Sequence, residues 1–207
     1  KKKIINKKKF QKEIIFGIKS SVVDFFPSSI KELDRILIFN ITGPIMLVNL
    51  NIITKFPDAL KEIFRLIARY ALSKISLIKN YDKKIQKKSK LLNLVTLIFL
   101  ILFSFTIYPF FFKIVFDEKF FEYLFLSQII LISIFLANDS IIKNFFFKTQ
   151  LNIRSYSSSV IISPILKIIL SFNLIYFYEL PGAVASVVLH RILNYFLISY
   201  LIKKFHK

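Results

Sequence analysis

Residues 91–112 read LLNLVTLIFLILFSFTIYPFFF, an apolar run with few polar side chains. A helix needs about 20 apolar residues to cross the hydrocarbon core of a bilayer. Three later runs have the same character: Phe120–Ile142, Val160–Tyr178 and Ala183–Ile202. Because backbone hydrogen bonds cannot be left open in lipid, runs of this length predict helices. The sequence therefore predicts an all-α, polytopic transmembrane protein.

The composition combines high hydrophobicity with high positive charge. The 207 residues are 55% hydrophobic with a mean hydropathy of +0.60, and 31 Lys and Arg against 12 Asp and Glu give a net charge of +19. Nucleic-acid binding requires a basic patch on a soluble fold, whereas these lysines interrupt long apolar stretches, so no nucleic-acid partner is expected. A membrane protein whose basic loops lie on one side of the bilayer fits both properties.

No motif predicts an enzyme. The chain has no cysteine, two histidines and three glycines, so it contains neither a thiolate metal site nor a glycine-rich phosphate loop. We therefore expect no catalytic residues, no metal and no cofactor.

The first 75 residues allow two interpretations. A hydropathy window selects one span at Ile36–Thr54, with Gly43-Pro44 in its middle. Proline suits the first turn of a helix but breaks a helix interior, which favours two helices that meet at Thr42-Gly43-Pro44. The sequence then predicts a basic loop at 1–12, inside which the chain begins, and a six-helix region over 13–205. Its helices lie at about 14–40, 44–75, 91–112, 120–142, 152–178 and 182–202.

The distribution of positive charge favours six helices over five. With six helices and a cytoplasmic start, one side of the membrane receives 20 Lys and Arg, and the other receives Lys113 and Lys119. A five-helix arrangement would move the Lys74–Lys90 cluster to the opposite side. Lys and Arg concentrate in cytoplasmic loops, so the six-helix interpretation is preferred.

Charged side chains recur along the first two predicted helices at spacings of 3 and 4, which places each set on one helical face. They cost several kcal/mol each in lipid unless they face water or a partner. One interpretation is a packing network in which acids neutralise bases, and the other is a hydrated cationic cavity for an anionic substrate. Two continuous stripes favour the cavity. The stripes are Ser21, Asp24, Ser28, Lys31 and Arg35, then Lys55, Asp58, Glu62, Arg65 and Arg69.

The last two predicted helices carry weaker signals. Lys167 lies among serines at spacing 4, and His190 shares a face with Gly182 and Ser186. Small residues at such positions predict close helix packing. His190 is either a hydrogen-bonded packing residue or a proton carrier.

Several short motifs occur in the order known from one transporter family. Leu33–Ile38 with the following Gly43-Pro44 turn, Lys55–Leu60, Phe116–Phe120 and Tyr178–Ser186 resemble segments in the second half of polysaccharide flippases. These are the O-antigen and capsule transporters of the multidrug/oligosaccharidyl-lipid/polysaccharide (MATE-like) superfamily. Asp117 and Glu179 stand where that family commonly has glycine.

The resemblance implies a fold, a substrate and a location. The chain would be the C-terminal lobe of a two-lobed MATE-like transporter of the bacterial inner membrane, with the N-terminal lobe missing. Its substrate would be undecaprenyl diphosphate bearing an oligosaccharide. The diphosphate would bind Lys31, Arg35, Lys55, Arg65 and Arg69, with Asp24, Asp58, Glu62, Lys167 and His190 in the cavity or its charge network.

Other functions remain open at this stage. A multidrug exporter of the same fold should have an acidic cavity for organic cations. A membrane glycosyltransferase or polymerase should have long extracytoplasmic loops. A structural partner without transport activity should not keep a charged face on a spanning helix.

Overall fold

The computed structural model describes residues 14–15, 17–19, 21, 25, 35–75, 83–149 and 153–205. All regular structure in these residues is helical, so the all-α prediction is confirmed for them. The helices are α1 (residues 35–42), α2 (Pro44–Ile75), α3 (Lys83–Thr106), α4 (Tyr108–Val115), the 3₁₀ helix η1 (Glu118–Tyr123), α5 (Leu124–Ile132), α6 (Ile134–Thr149) and α7 (Ile153–Phe205).

The chain reverses at Gly43 between α1 and α2, as predicted. Gly43 has φ 85°, a left-handed conformation that favours glycine, and its N–H donates to the carbonyl of Phe39 at 3.0 Å. Pro44 is the first residue of α2, where its missing N–H costs no helical hydrogen bond. The structure therefore has a helix boundary, and not a continuous span, at this position.

Helix α7 is a hairpin of two segments, α7a (residues 153–178) and α7b (residues 180–205). Glu179 separates them with φ 49° and ψ −123°. Ser171 Oγ contacts Ser186 Oγ at 3.4 Å, and Ser163 Oγ contacts His190 Nε2 at 2.8 Å. The pair that is more distant from Glu179 on one side is also more distant from it on the other side. The two segments therefore run antiparallel.

Gly182 permits the close approach at the hairpin turn. A Cβ at this position would lie 2.0 Å from the carbonyl oxygen of Leu174 and 3.0 Å from Cβ of Tyr178. No other residue fits there without moving the backbone. The predicted role of small residues in close packing is confirmed at Gly182.

The third predicted helix, 91–112, is bent in the structure. Segments Lys90–Thr106 and Tyr108–Val115 meet at an angle of 54° around Ile107. Pro109 explains the bend, because it lacks an N–H and its ring crowds the carbonyl four residues earlier. The fourth predicted helix, 120–142, begins as η1 and is interrupted again at Ser133.

A hydroxyl on α5 replaces the backbone hydrogen bond that Pro57 removes from α2. Pro57 has no N–H to offer the carbonyl of Ile53, four residues earlier. Ser127 Oγ donates to that carbonyl at 2.6 Å, and Tyr108 OH lies 2.5 Å from the same Ser127 oxygen. Since the one Ser127 proton is already used, Tyr108 is the donor to Ser127. These bonds join α2, α4 and α5.

Gln128, the next residue of α5, performs a similar task at the α3–α4 bend. Its Nε2 donates to the carbonyl of Ser104 at 2.8 Å. Around these polar bonds lies an aromatic and aliphatic core, in which the rings of Phe56 and Tyr108 are 5.0 Å apart. The core residues are Leu100, Tyr108, Phe112, Leu131 and Ile134.

Among the described residues, two helical stretches are long and apolar enough to cross a membrane, Glu118–Asn144 and Ser157–Lys204. The bent α3–α4 pair makes a third if it counts as one span. Large apolar side chains are exposed around the described helices, for example Phe110 and Phe125. The chain is thus a helical protein with membrane-spanning potential. The predicted six-helix lobe stays a prediction.

Candidate functional site: a cationic cavity

A cavity of about 380 Å³ lies between α1, α2, α5, α6 and both segments of α7. Among the described residues, its lining contains five basic side chains and a single carboxylate, that of Asp58. A cavity with such an excess of one charge attracts ligands of the opposite charge. The basic residues are Arg35, Lys61, Arg65, Lys167 and Arg191.

Helix α2 forms one wall of the cavity, and the polar side chains of this wall change from neutral to charged along the helix. The wall residues recur at spacings of 3 and 4, so they share one face over about 21 Å. Neutral side chains occupy its N-terminal end and cationic side chains its C-terminal end. In chain order the residues are Asn51, Thr54, Asp58, Lys61 and Arg65.

This wall is rotated relative to the charged face predicted from the sequence. At 100° per residue, Lys55 and Glu62 lie roughly 60–80° from the centre of the wall. Lys55 is exposed and is not among the lining residues. Glu62 is also exposed, and its two oxygens accept hydrogen bonds from Arg65 Nη1 at 2.8 and 3.0 Å. Arg65 therefore belongs to both the cavity and the charge network.

Five of the predicted site residues come together in the cavity, and three fall outside what the structure describes. Asp24 and Lys31 lie outside the described residues, as does the side chain of Arg69. The five that line the cavity are Arg35, Asp58, Arg65, Lys167 and His190.

The opposite wall is built from α6 and the α7 hairpin. Ser163 pairs with His190, and Ser159 Oγ donates to Asn144 Oδ1 at 2.9 Å. His190 is thus hydrogen-bonded within the helix pair, the arrangement that its packing interpretation predicts. Lys167 lies one turn beyond Ser163 on the same face of α7a.

Three polar side chains of the cavity are available to a ligand. Asn51 and Thr54 on α2, and Asn194 on α7b, line the cavity. Within the part of the chain that the structure describes, none of them has a hydrogen-bond partner. Amide and hydroxyl groups in such positions can bind hydroxyl groups of a ligand.

Arg191 is the most deeply buried cation of the cavity, with 6% of its surface exposed. Its Nη1 donates to the carbonyl of Ile130 and to Ser133 Oγ, both at 2.7 Å. Ser133 Oγ donates to the same Ile130 carbonyl at 2.7 Å, so Arg191 and Ser133 together satisfy the backbone at the interruption between α5 and α6.

Neither Arg191 nor Lys61 was among the predicted site residues. Lys61 could have been found in the sequence, because polar residues recur at spacings of 3 and 4 from Asn51 through Thr54 to Lys61. For Arg191 the only signal was a positive charge within an apolar run. Its acceptors are 58 and 61 residues away, beyond any local pattern.

A buried charge pair lies outside the cavity, between α6 and α7b. Asp139 and Lys143 form an ion pair with 5% and 13% of their side chains exposed. Lys143 Nζ also donates to Ser199 Oγ at 2.9 Å and lies 4.6 Å from the centre of the Tyr195 ring. These neighbours neutralise and enclose Lys143, so it adds no charge to the cavity.

In comparisons with family models, curated proteins and solved structures, no match to the chain was found. Among the described residues, no group of three or more His, Asp or Glu side chains is arranged to hold a metal ion. The fold and the site define the class: a helical protein with membrane-spanning potential and a cationic cavity among its helices.

Proposed function

We propose that the chain is one lobe of a flippase that moves undecaprenyl-diphosphate-linked oligosaccharides across the bacterial inner membrane for surface polysaccharide synthesis. The observation that carries the proposal is the cavity charge: five bases against the carboxylate of Asp58 among the described lining residues. A diphosphate cannot cross hydrocarbon unaided, because removing its charge from water costs tens of kcal/mol by the Born argument. Cationic side chains that replace its hydration lower that cost.

The α2 wall suggests how such a substrate is oriented. Lys61 and Arg65 at the C-terminal end suit the diphosphate, and the planar guanidinium of Arg65 can bind it in bidentate fashion. Asn51 and Thr54 at the N-terminal end suit sugar hydroxyls. A wall about 21 Å long accommodates both parts of one ligand.

The membrane arrangement follows the same proposal. The α7a and α7b segments have 26 residues each, about 39 Å of helix, so each can serve as a separate span. With the first helix predicted from the sequence at about 14–40, α2, the bent α3–α4 pair and α5–α6, they would give six crossings and the basic loops on one side. A second lobe would cover the open side of the cavity, and rocking of the two lobes would expose it alternately to either side.

The alternatives are supported less well. A multidrug exporter of organic cations requires a cavity dominated by carboxylates, opposite in sign to this one. In a membrane glycosyltransferase or polymerase, the basic side chains and the unpartnered amides that line the cavity together would have no role. The same holds for a structural partner without transport activity.

The proposal is tested by ligand binding to the purified chain in detergent. We expect undecaprenyl diphosphate to bind, and undecaprenol, which has the same tail and no phosphate, to bind at least tenfold more weakly. Lys61→Gln and Arg65→Gln should each lower diphosphate affinity about tenfold or more, because each removes a charge-assisted hydrogen bond of about 1.5–3 kcal/mol.

Lys55→Gln provides the matched control. Lys55 is on the same helix and is also basic, but it is exposed outside the cavity. Its substitution should leave affinity unchanged. Equal affinity for the diphosphate and the alcohol, or an equal loss in all three variants, would show that the cavity does not bind phosphate.

A further inference from the structure

The cavity has an apolar end, next to the α7 turn at Glu179. Its apolar lining side chains belong to one hydrophobic cluster that joins α1, α2 and α5 to the α7 hairpin. The nearest base is Arg35, one turn before the cluster on α1, whereas Lys167 and His190 lie further from the turn on the two α7 segments. The cavity therefore changes from mainly apolar to mainly cationic along its length. The cluster residues that line it are Ile38, Leu50, Ile130, Ile175, Ala183 and Val187.

Two polar side chains of α2, Asn51 and Thr54, lie beside Leu50 at this apolar end and have no hydrogen-bond partner among the described residues. Two serines also line this end, but both are already bonded. Ser171 Oγ donates to Ser186 Oγ at 3.4 Å, and Ser186 Oγ donates to the carbonyl of Ala183 at 2.7 Å. The amide and the hydroxyl on α2 are thus the groups that a ligand can use here.

The hydroxyl of Thr54 is not satisfied in the way that is usual in this chain. The hydroxyls of Thr42, Thr96 and Thr106 each donate to the carbonyl four residues earlier in their own helix. Thr54 makes no such bond to Leu50. Its hydroxyl is therefore free to donate to a ligand in the cavity.

The combination of an apolar cluster with an amide and a hydroxyl selects the chemistry of the ligand. A hydrocarbon chain alone would remove Asn51 and Thr54 from water without offering them a partner. A sugar that carries only hydroxyl groups would place some of them against the apolar cluster, at the same kind of cost. An acetamido group fits both features, because its methyl packs against the cluster and its amide pairs with Asn51. The side-chain amide of asparagine can donate to a carbonyl and accept from an N–H at the same time.

We propose that the apolar end of the cavity binds the acetamido group of a 2-acetamido sugar that is attached directly to the diphosphate. The inference rests on the proposed function, because a phosphate group at Lys61 and Arg65 determines where the first sugar lies. At 1.5 Å per residue, Thr54 and Lys61 are about 10 Å apart along α2, which leaves room for one sugar ring between them. The inference adds the class of the first sugar to the proposed substrate.

Two ligands that differ in one group test the inference. Undecaprenyl diphosphate carrying N-acetylglucosamine and undecaprenyl diphosphate carrying glucose have the same tail, the same phosphates and the same ring. An acetamido group in one replaces a hydroxyl in the other. We expect the purified chain in detergent to bind the acetamido ligand about tenfold more tightly, through one more hydrogen bond and one buried methyl.

The preference for the acetamido ligand should depend on the two α2 side chains. Asn51→Leu and Thr54→Val should each reduce it to about threefold or less, because each removes one hydrogen-bonding group. Asn194→Leu is the matched control: Asn194 is also an unpartnered amide of the cavity lining, but it lies beyond His190 on α7b, away from the apolar end. Its substitution should keep the tenfold preference. Because the preference is a ratio of two affinities of one variant, it does not depend on the fraction of that variant that is folded.

The outcomes separate the inference from the proposed function. If the two sugar ligands bind equally but undecaprenyl diphosphate still binds more tightly than undecaprenol, the acetamido site is refuted and the phosphate site stands. The acetamido site is also refuted if the preference survives Asn51→Leu. If Asn51→Leu raises the affinity for both ligands, the apolar end holds the prenyl tail and not a sugar. If no diphosphate ligand binds more tightly than undecaprenol, the phosphate site is refuted and the acetamido site with it.

Discussion

The hydroxyl of Ser127 donates a hydrogen bond to the carbonyl oxygen of Ile53 at 2.6 Å, four residues before Pro57. The proline removes the donor that this carbonyl would have within α2, and a side chain from α5 replaces it. The bond is therefore part of the connection between two helices as well as a local repair.

Ser127→Ala should lower stability by about 1–3 kcal/mol, because the carbonyl of Ile53 would be left buried without a donor. In a Pro57→Ala background the helix can supply its own N–H, and the same substitution should cost less than half as much. Unfolding in detergent followed by circular dichroism measures both differences. Thr106→Val is the control, since this exposed hydroxyl bonds only to its own helix, at the Leu102 carbonyl. Equal costs of Ser127→Ala in both backgrounds would contradict the repair role.

Gly182→Ala should destabilise the α7 hairpin by about 3 kcal/mol or more, because the added Cβ meets backbone 2.0 Å away and the helices must separate. Gly17→Ala adds the same atom at a helical position with nothing within 4 Å. It should stabilise the chain by up to about 1 kcal/mol through helix propensity. The same unfolding measurement compares them, and opposite signs are the expected result. A neutral Gly182→Ala would mean that the hairpin is not this tight.

Asp139→Asn should lower stability by about 3–5 kcal/mol, since it leaves Lys143 charged and buried. The double variant Asp139→Asn with Lys143→Met removes both charges and should recover most of that loss. Protein yield in membranes and unfolding in detergent provide the readouts. If the double variant is as unstable as the single one, the contacts of Lys143 with Ser199 and Tyr195 matter more than the ion pair.

The topology of the proposed lobe can be tested with single cysteines. Thr42 precedes the α1–α2 turn, Tyr178 is exposed beside the α7 turn, and Lys203 is exposed near the opposite end of α7b. In intact cells, an impermeant thiol reagent should label Thr42→Cys and Tyr178→Cys but not Lys203→Cys, which should react only after lysis. Labelling of Lys203→Cys in intact cells would show that the orientation is opposite to the one predicted from the charges of the loops.

The properties of single residues and their immediate neighbours in the sequence predicted some parts of this fold. The Gly43-Pro44 boundary and the close packing at Gly182 followed from properties of those residue types alone. The bend before Pro109 had the same kind of local cause, although the length of the apolar run suggested one straight helix. Apolar runs indicate where a span lies but do not determine whether it is straight.

Other parts depend on distant partners. The interruption at Ser133 is stabilised by Arg191, which no pattern around Ser133 contains. Which face of α2 lines the cavity depends on where α7 packs. The spacing of charges along α2 therefore could not predict that Lys61 lines the cavity and Lys55 does not. The cationic character of the site was therefore predictable, whereas its exact membership was not.

The ion pair between Asp139 and Lys143 has a consequence for biogenesis, because both partners lie on one helix, four residues apart. In the proposed membrane arrangement, a nascent segment containing them can leave the translocon with these two charges already paired, before α7 has been synthesised. Ser199, which later accepts a hydrogen bond from Lys143, is still 56 residues from synthesis at that point. The segment thus brings its counter-ion with it, and insertion of α6 does not have to wait for the helices that eventually enclose its charge.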